Sequence, residues 1–519
     1  DANGASSVTI TKTQDTVYLK EISVPNGYLM DTKAYDVKLV IGDTVKQTVT
    51  DAEQMASLTV YKLGEVLTGA KVTDDGVSFV YTEQKQKSAV YNVYAAADIV
   101  SADGTVIYKK DALVKAGLTT GDDGSVTLDN LYLGKYVVKE MQAPQNLVCT
   151  GESQEITLSY AGSNVEKVMG SVTFKNDRQK ASVSVYKQDK ETRKYLPGGT
   201  YGLYAGNDIK VADGTVVVKK DTLIEKVVTG TDGKAVYQAD LPIANSYYMK
   251  EVSAPAGYTR NSEDVYSFTF QYTTDKEATV SFSHTFQNER VNAKIKLVKE
   301  DSETGKTAQG DATLEGAVYG LYAREDIVHP DGQTGVLYPA GTQIATLTTD
   351  TEGNAEIADL YLGKYYVKEL TPPVGYLADP EEHDLECNDE GDLVQTVERT
   401  ATSLEDVIKQ PFQVIKAANN GKTDADLLKG VGFSAYLESS LKKNKDGSYD
   451  FASATPVVLT ADGQTEMFTD ERGYACSIPL AYGTYIVRET TTPHNLTPVD
   501  DFKAVSYTHL RAHETGRNL

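Results

Sequence analysis

The sequence predicts an all-β protein made of tandem small sandwiches, and three observations carry that reading. A strand motif recurs five times, Asp-Gly pairs punctuate runs of alternating hydrophobicity, and the aromatic set is dominated by tyrosine, with 34 Tyr against 11 Phe and no Trp. Tyrosine suits half-exposed strands, in which the ring buries one face and keeps its hydroxyl wet. The 519 residues allow four or five domains of ordinary size. With 40% hydrophobic and 24% charged residues the chain can bury cores, which excludes a disordered or fibrous chain. The formal net charge of -23, from 51 Lys and Arg against 74 Asp and Glu, argues against nucleic acid and anionic lipid as general partners. No apolar run reaches the roughly 18 residues of a membrane helix.

Cys149, Cys387 and Cys476 are far apart and show no CxxC or Cys/His spacing, so neither a disulfide framework nor a zinc site is expected from them. The chain opens on Asp1 without a Met or a signal peptide, and Val505 to Thr515 reads VSYTHLRAHET, which looks like a translated sequencing adapter. The expectation is a fragment truncated at both ends, with 505–519 set aside as non-native. His509 and His513 in that tail have an HxxxH spacing that imitates a zinc pair.

The recurring motif reads YLKEISVPNGY, YVVKEMQAPQNL, YYMKEVSAPAGY, YYVKELTPPVGY and YIVRETTTPHNL. Each copy has a Glu four residues before a Pro: Glu21, Glu140, Glu251, Glu369 and Glu489. A second motif opens the units: VYNVYAA, YGLYAG, YGLYAR and, more weakly, FSAYLE. Between the two lie Asp103-Gly104, Asp213-Gly214 and Asp232-Gly233, expected as hairpin turns. Repeats of this kind imply one supersecondary unit per period. The units fall at 1–55 (the end of a truncated domain), 56–178, 179–290, 291–406 and 407–504 (truncated). Joints such as Arg178-Gln179-Lys180 and Arg290-Val291-Asn292 are short and poor in Gly and Ser, which favours a semi-rigid, elongated rod.

Strand phase assigns the chemistry, because side chains two apart share a face. Glu140 is in phase with Val138 and Tyr136, Glu251 with Met249 and Tyr247, Glu369 with Val367 and Tyr365, and Glu489 with Val487 and Tyr485. Lys139, Lys250, Lys368 and Arg488 occupy the alternate, wet positions. A Glu on the core face is expected to have a raised pKa and to stay protonated. On the first strand of each unit Lys62, Lys187, Lys299 and Lys416 are likewise in phase with apolar residues, and burial pushes an amine toward its neutral, nucleophilic form. The closing strands SVTFKNDR and SHTFQNER place Asn176 and Asn288 in phase with Phe174 and Phe286.

These motifs resemble the Cna-B or SpaA-type domains of Gram-positive surface proteins and pilins, which have a transthyretin-like, Ig-like sandwich fold. The resemblance spans residues 1 to 504. It implies a covalent bond from the first-strand Lys to the last-strand Asn, assisted by the Glu: Lys62, Glu140 and Asn176 in one unit, Lys187, Glu251 and Asn288 in the next. Counting back eleven residues from Lys62 and Lys416 gives Asp51 and Glu405 at the Asn position. Asp51 serves a Lys upstream of the fragment, while Glu405 is one methylene too long, so Lys299 is expected to remain unlinked. Lys416 and Glu489 lack an acceptor because the tail interrupts the strand.

The alternative for each Lys and Glu is a buried salt bridge, the favoured reading for Lys299 with Glu369. Thr120-Gly121-Asp122-Asp123-Gly124 lacks a calcium loop and reads as a turn, as does Leu196-Pro197-Gly198-Gly199-Thr200. No metal and no cofactor are expected, and no enzyme activity beyond single-turnover self-cross-linking. The resemblance implies an extracellular, cell-wall-anchored stalk or pilin-like shaft, its anchor missing from the fragment. The competing expectations are an adhesin whose repeats contact host protein or glycan, and an accessory stalk of a secreted hydrolase.

Overall fold

The computed structural model describes residues 4–11, 15–419 and 426–506; the expected tail pair His509 and His513 lies outside them. The chain is built of strands, and the one helical element among the described residues is the 3-10 turn Glu438–Ser440. No helix there is long and apolar enough to cross a membrane. Contacts divide the chain into two compact units. The first comprises Asp1–Lys187, Gly199–Val252 and Ser262–Phe286, and the second Gln188–Gly198, Ser253–Asn261 and Gln287–Leu519.

The first unit opens with an antiparallel pair, Thr16–Lys20 with Ala34–Lys38. Two sheets follow. One has the order Ser153–Leu158, Gly134–Gln142, Val90–Ala95, Leu113–Thr119, and the other Lys167–Asn176, Met55–Thr73, Gly76–Lys85, with Ser125–Leu131 also paired to Met55–Thr73. Alternate residues of both sheets meet in one core of Leu58, Val60, Tyr91, Val93, Tyr136, Val138 and Phe174. The same plan recurs in Leu223–Val228, Thr200–Ala205, Asn245–Ser253, Val265–Phe270 against Lys234–Tyr237, Lys180–Asp189, Thr279–Asn288.

The strand carrying Lys62 continues to Thr73 and returns as Gly76–Lys85, an extension that the repeat pattern does not foretell. The turn itself, Thr73-Asp74-Asp75, is exposed, and just past it Val77 joins the core of Tyr201, Leu203 and Ile224. Gly76 stands at the turn with φ 147°, and a Cβ there would lie 2.3 Å from the Ile224 carbonyl oxygen. Only glycine fits both demands.

In the second unit, Gln343–Thr348, Val318–Ala323, Gly363–Thr371 and Glu382–Cys387 face Asn354–Leu360, Asn292–Asp301 and Thr396–Glu405. The last sheet is Glu466–Phe468, Gly432–Leu437, Thr484–Thr491, Phe502–Val505. Val505, set aside with the tail on sequence grounds, pairs with Thr484 and closes that sheet.

Asp103-Gly104 and Asp213-Gly214 do turn hairpins, between Ile99–Val100 and Val106–Tyr108 and between Ile209–Lys210 and Val216–Val218. Asp232-Gly233 does not. The strands flanking it pair with Thr200–Ala205 and Lys180–Asp189 respectively, so the turn carries the chain from one sheet to the other. An Asp-Gly pair fixes a tight local bend, and the partners of the flanking strands decide whether a hairpin results.

Candidate intramolecular cross-linking sites

Met55–Thr73 and Lys167–Asn176 run parallel, with Lys62 opposite Phe174 and Asn176 opposite Gly64. Asn176 thus lies two residues beyond the partner of Lys62, and both project to the core face. From the facing sheet, Gly134–Gln142 sends in Tyr136, Val138 and Glu140 while Lys139 stays exposed. Lys62 is 0% exposed, and Glu140 and Asn176 are 4% exposed each. Lys62 Nζ donates to Glu140 Oε1 at 2.6 Å, and Asn176 Nδ2 donates to Glu140 Oε2 at 2.7 Å. One carboxyl therefore bridges a buried amine and a buried amide. Burial lowers the Lys62 pKa, against the opposing hydrogen bond and charge of Glu140. The arrangement suits proton transfer from the amine to one carboxyl oxygen and from the other to the amide nitrogen.

In the next repeat, Lys187 Nζ lies 3.6 Å from Glu251 Oε1, and the Tyr201 hydroxyl donates to the same oxygen at 3.1 Å. Asn288 ends the strand Thr279–Asn288 and is 1% exposed.

The third repeat differs from the sequence reading. Lys299 faces Ser403 in the parallel register, and its ion pair is with Glu405 at 2.8 Å rather than with Glu369. The extra methylene brings the Glu405 carboxyl to the amine. The contact is ionic without an aligned hydrogen bond, and Nζ also sits 4.0 Å from the centre of the Tyr376 ring. Glu369 pairs with the Glu405 carboxyl, and burial together with that like charge pushes it up to about 8.

Lys416 Nζ donates to Glu489 Oε2 at 2.7 Å. Although burial opposes ionisation, the Lys416 and Val499 hydrogen bonds hold the Glu489 pKa below the usual range. The expectation of a raised pKa therefore fails for this Glu. Near the start of the chain Glu21 and Asp51 meet as a carboxyl pair, in which burial and then Glu21 raise the Asp51 pKa. The structure thus brings the acidic residue to the Glu in both repeats where it replaces Asn.

Phase analysis missed two kinds of partner. The leading Tyr of the second motif stands cross-strand from the Glu, as Tyr91 from Glu140 and Tyr319 from Glu369, while Phe433 takes that place opposite Glu489. Tyr319 donates to Glu405 Oε1 at 2.8 Å. The recurrence of that Tyr was the available signal. The second is a backbone N–H ten residues beyond the Glu: Asp31 to Glu21, Asp379 to Glu369 and Val499 to Glu489, at 2.7, 2.7 and 3.0 Å. A backbone donor leaves no residue signature.

The SpaA prealbumin-like fold domain family matches three segments, 75–173, 181–285 and 293–401, the first of which begins beyond Lys62. Among solved structures the chain is similar to the Bacillus anthracis TIE protein, with 22% identity, 72% of this chain and 54% of that one covered, and a TM-score of 0.42. It thus spans about half the length of that protein. It is similar also to BcpA, the major pilin subunit of Bacillus cereus (14% identity, 68% and 100% covered, TM-score 0.26). A third is the shaft pilin SpaA from Lactobacillus rhamnosus GG (15% identity, 46% and 98% covered, TM-score 0.17). No curated protein matches the sequence. With three consecutive matches over more than half its length, the chain belongs to the SpaA prealbumin-like fold domain family.

Proposed function

We propose that Lys62 becomes joined to Asn176, and Lys187 to Asn288, by intramolecular isopeptide bonds that form without a separate enzyme. On this reading the chain is part of a structural stalk or pilin-like shaft of a cell-wall-anchored surface protein of a Gram-positive bacterium. The Glu140 carboxyl, held between Lys62 Nζ at 2.6 Å and Asn176 Nδ2 at 2.7 Å, is the observation that carries it.

Lys62 gives a proton to Glu140 and attacks the Asn176 Cγ as a neutral amine. The C–N bond to lysine forms and the bond from Cγ to Nδ2 breaks; Glu140 passes the first proton to Nδ2, so that ammonia leaves, and takes up the second proton that the new amide nitrogen releases. Glu251 has the corresponding role for Lys187 and Asn288. Lys299 with Glu405 and Lys416 with Glu489 remain ion pairs. A bond between first and last strands carries tension past the ladder hydrogen bonds, which suits a load-bearing stalk with free cysteines and no disulfide among its described residues.

The test is the intact mass of the full chain. Two bonds remove two ammonia molecules, about 34 Da. A mass equal to that of the unmodified sequence refutes the proposal.

A further inference from the structure

Glu140 stands where its strand ladder gives way. Opposite Val90–Ala95 the register shifts between Glu140 and Gln142, so a bulge follows the carboxyl that bridges Lys62 and Asn176. A bulge re-aims the side chains beside it and leaves the backbone past it in need of other partners. Here they come from Asp275, which belongs to the following repeat and lies in the same compact unit. The Ala143 N–H, three residues past Glu140, donates to Asp275 Oδ2 at 3.1 Å, and the Cys149 N–H, nine residues past Glu140, donates to the Asp275 carbonyl at 2.8 Å. We infer, resting on the proposed Lys62–Asn176 bond, that Asp275 is a positioning residue for Glu140, through which the fold of one repeat controls cross-linking in the repeat before it.

One residue thus closes both ends of the loop that follows Glu140. Between those ends Ala143, Leu147 and Cys149 form a buried cluster, and the Cys149 thiol donates to the Glu140 carbonyl at 3.8 Å. The hold reaches Glu140 twice, along the chain from Ala143 and across the loop from Cys149. The Asp275 side chain is only 15% exposed, which shelters its bond to Ala143 from competing water, and Lys276 Nζ lies 3.7 Å from the same carboxylate oxygen. Asp275 is fixed in turn by Gln179, three residues past Asn176. The buried Gln179 side chain donates to Thr273 Oγ1 at 2.6 Å and to the Glu277 carbonyl at 2.7 Å, on either side of Asp275, while its backbone N–H donates to the Asn146 carbonyl at 2.9 Å. The chain leaving the acceptor strand therefore ties the Glu140 loop to the Asp275 loop. Glu140 has little freedom to spare: with Lys62 Nζ at 2.6 Å and Asn176 Nδ2 at 2.7 Å, a shift of about 1 Å breaks one of the two contacts.

The same grip recurs in the second compact unit. Asp392 Oδ2 accepts from the Ala254 N–H at 2.9 Å and the Asp392 carbonyl from the Arg260 N–H at 2.8 Å, and these residues stand three and nine places past Glu251. Near the start of the chain Ser163 takes the place of Asp275. Its carbonyl accepts from the Met30 N–H, nine places past Glu21, at 3.1 Å, but it has no carboxylate to offer. The backbone half of the grip is common to these three junctions, and the carboxylate half accompanies the Asn acceptors. The consequence is an order of events. Glu140 reaches its working position once the loop at 273–277 has formed, so the Lys62–Asn176 bond closes after the following repeat is in place.

The test follows bond formation in the full chain during cell-free synthesis, with samples quenched in acid and mapped by tryptic mass spectrometry. Asp275→Ala should slow the appearance of the Lys62–Asn176 branched peptide at least about 10-fold and leave that of Lys187–Asn288 unchanged. Asp275→Asn, which keeps an acceptor oxygen for the Ala143 N–H, should recover the parent rate to within about 3-fold. Unchanged Lys62–Asn176 kinetics in Asp275→Ala, in a parent that forms both bonds, overturns the role of Asp275 and leaves the bond itself standing. Equal slowing of both bonds, the mark of a general folding defect, or an Asp275→Asn chain as slow as Asp275→Ala, overturns that role as well. A parent chain that forms no Lys62–Asn176 bond overturns the proposed cross-linking, and the role of Asp275 with it.

Discussion

Tyr91 lies directly across from Glu140 in the antiparallel register of Val90–Ala95 with Gly134–Gln142, and Tyr319 stands in the same relation to Glu369. The ring covers the carboxyl and is itself packed by the last strand, Tyr91 against Phe174 at 4.9 Å and Tyr201 against Phe286 at 4.7 Å between centroids. The acceptor strand, the aromatic strand and the Glu strand are thus assembled by one cluster. Tyr201→Phe keeps the ring and removes the donor to Glu251 Oε1. It should slow cross-linking of Lys187 without abolishing it, and in an unlinked Lys187→Met background it should cost about 1 kcal/mol of stability, measured by thermal unfolding.

The third repeat should lose stability as pH rises. Glu369, buried beside the Glu405 carboxyl, holds its proton to about 8, whereas an unfolded Glu releases it near 4.5. Between those values the native state binds more protons than the unfolded one, so stability falls with increasing pH. The loss should be on the order of 2 kcal/mol, less than the full shift converts to, because local relaxation discounts a buried group's titration. Hydrogen-exchange protection of Gly363–Thr371, corrected for intrinsic rates, should fall between pH 5 and pH 8, and Glu369→Gln should flatten the profile. A rise in protection over that range contradicts the assignment.

What the sequence made legible is what repeats. Glu140, Glu251, Glu369 and Glu489, the first-strand Lys and the closing Asn could be assigned to the core face because strand phase needs only the nearest apolar neighbours, and Lys62, Glu140 and Asn176 are buried. Less was legible where pairing partners decide. Asp232-Gly233 has the residues of a hairpin turn yet joins two sheets, and the extension to Thr73 has no counterpart in the other units from which to infer it. Glu405 departs from the Asn of the two preceding repeats, and its reach to Lys299 depends on a rotamer that residue spacing does not encode.

Arg178, one of the residues read as a short joint, is buried and packs 3.9 Å from the centre of the Tyr81 ring, donates to the Leu241 carbonyl at 2.9 Å and pairs with Asp240. Arg290 repeats this in the other unit, 4.0 Å from the Tyr361 ring and 3.0 Å from the Leu360 carbonyl. Arg178→Ala should leave that carbonyl unsatisfied and cost about 2 kcal/mol. Limited proteolysis should then cut near residues 178–180, which stay resistant in the unsubstituted chain.

Under tension the two linked repeats should not lengthen. In single-molecule pulling, the contour between Lys62 and Asn176 and between Lys187 and Asn288 should stay locked, while 291–406 unfolds. Full extension of all repeats in the unsubstituted chain would be incompatible with the cross-links.

Glu140→Gln tests the central claim most directly. The variant keeps the size of the side chain but cannot relay a proton between Lys62 and Asn176. Tryptic mapping by mass spectrometry of the unsubstituted chain should yield one branched peptide joining Lys62 to Asn176, lighter by ammonia than the sum of its parts. In the variant those peptides should separate, while Lys187 and Asn288 stay joined as the internal control. Separate Lys62 and Asn176 peptides from the unsubstituted chain, or a variant that cross-links as fully as the parent, would contradict the account.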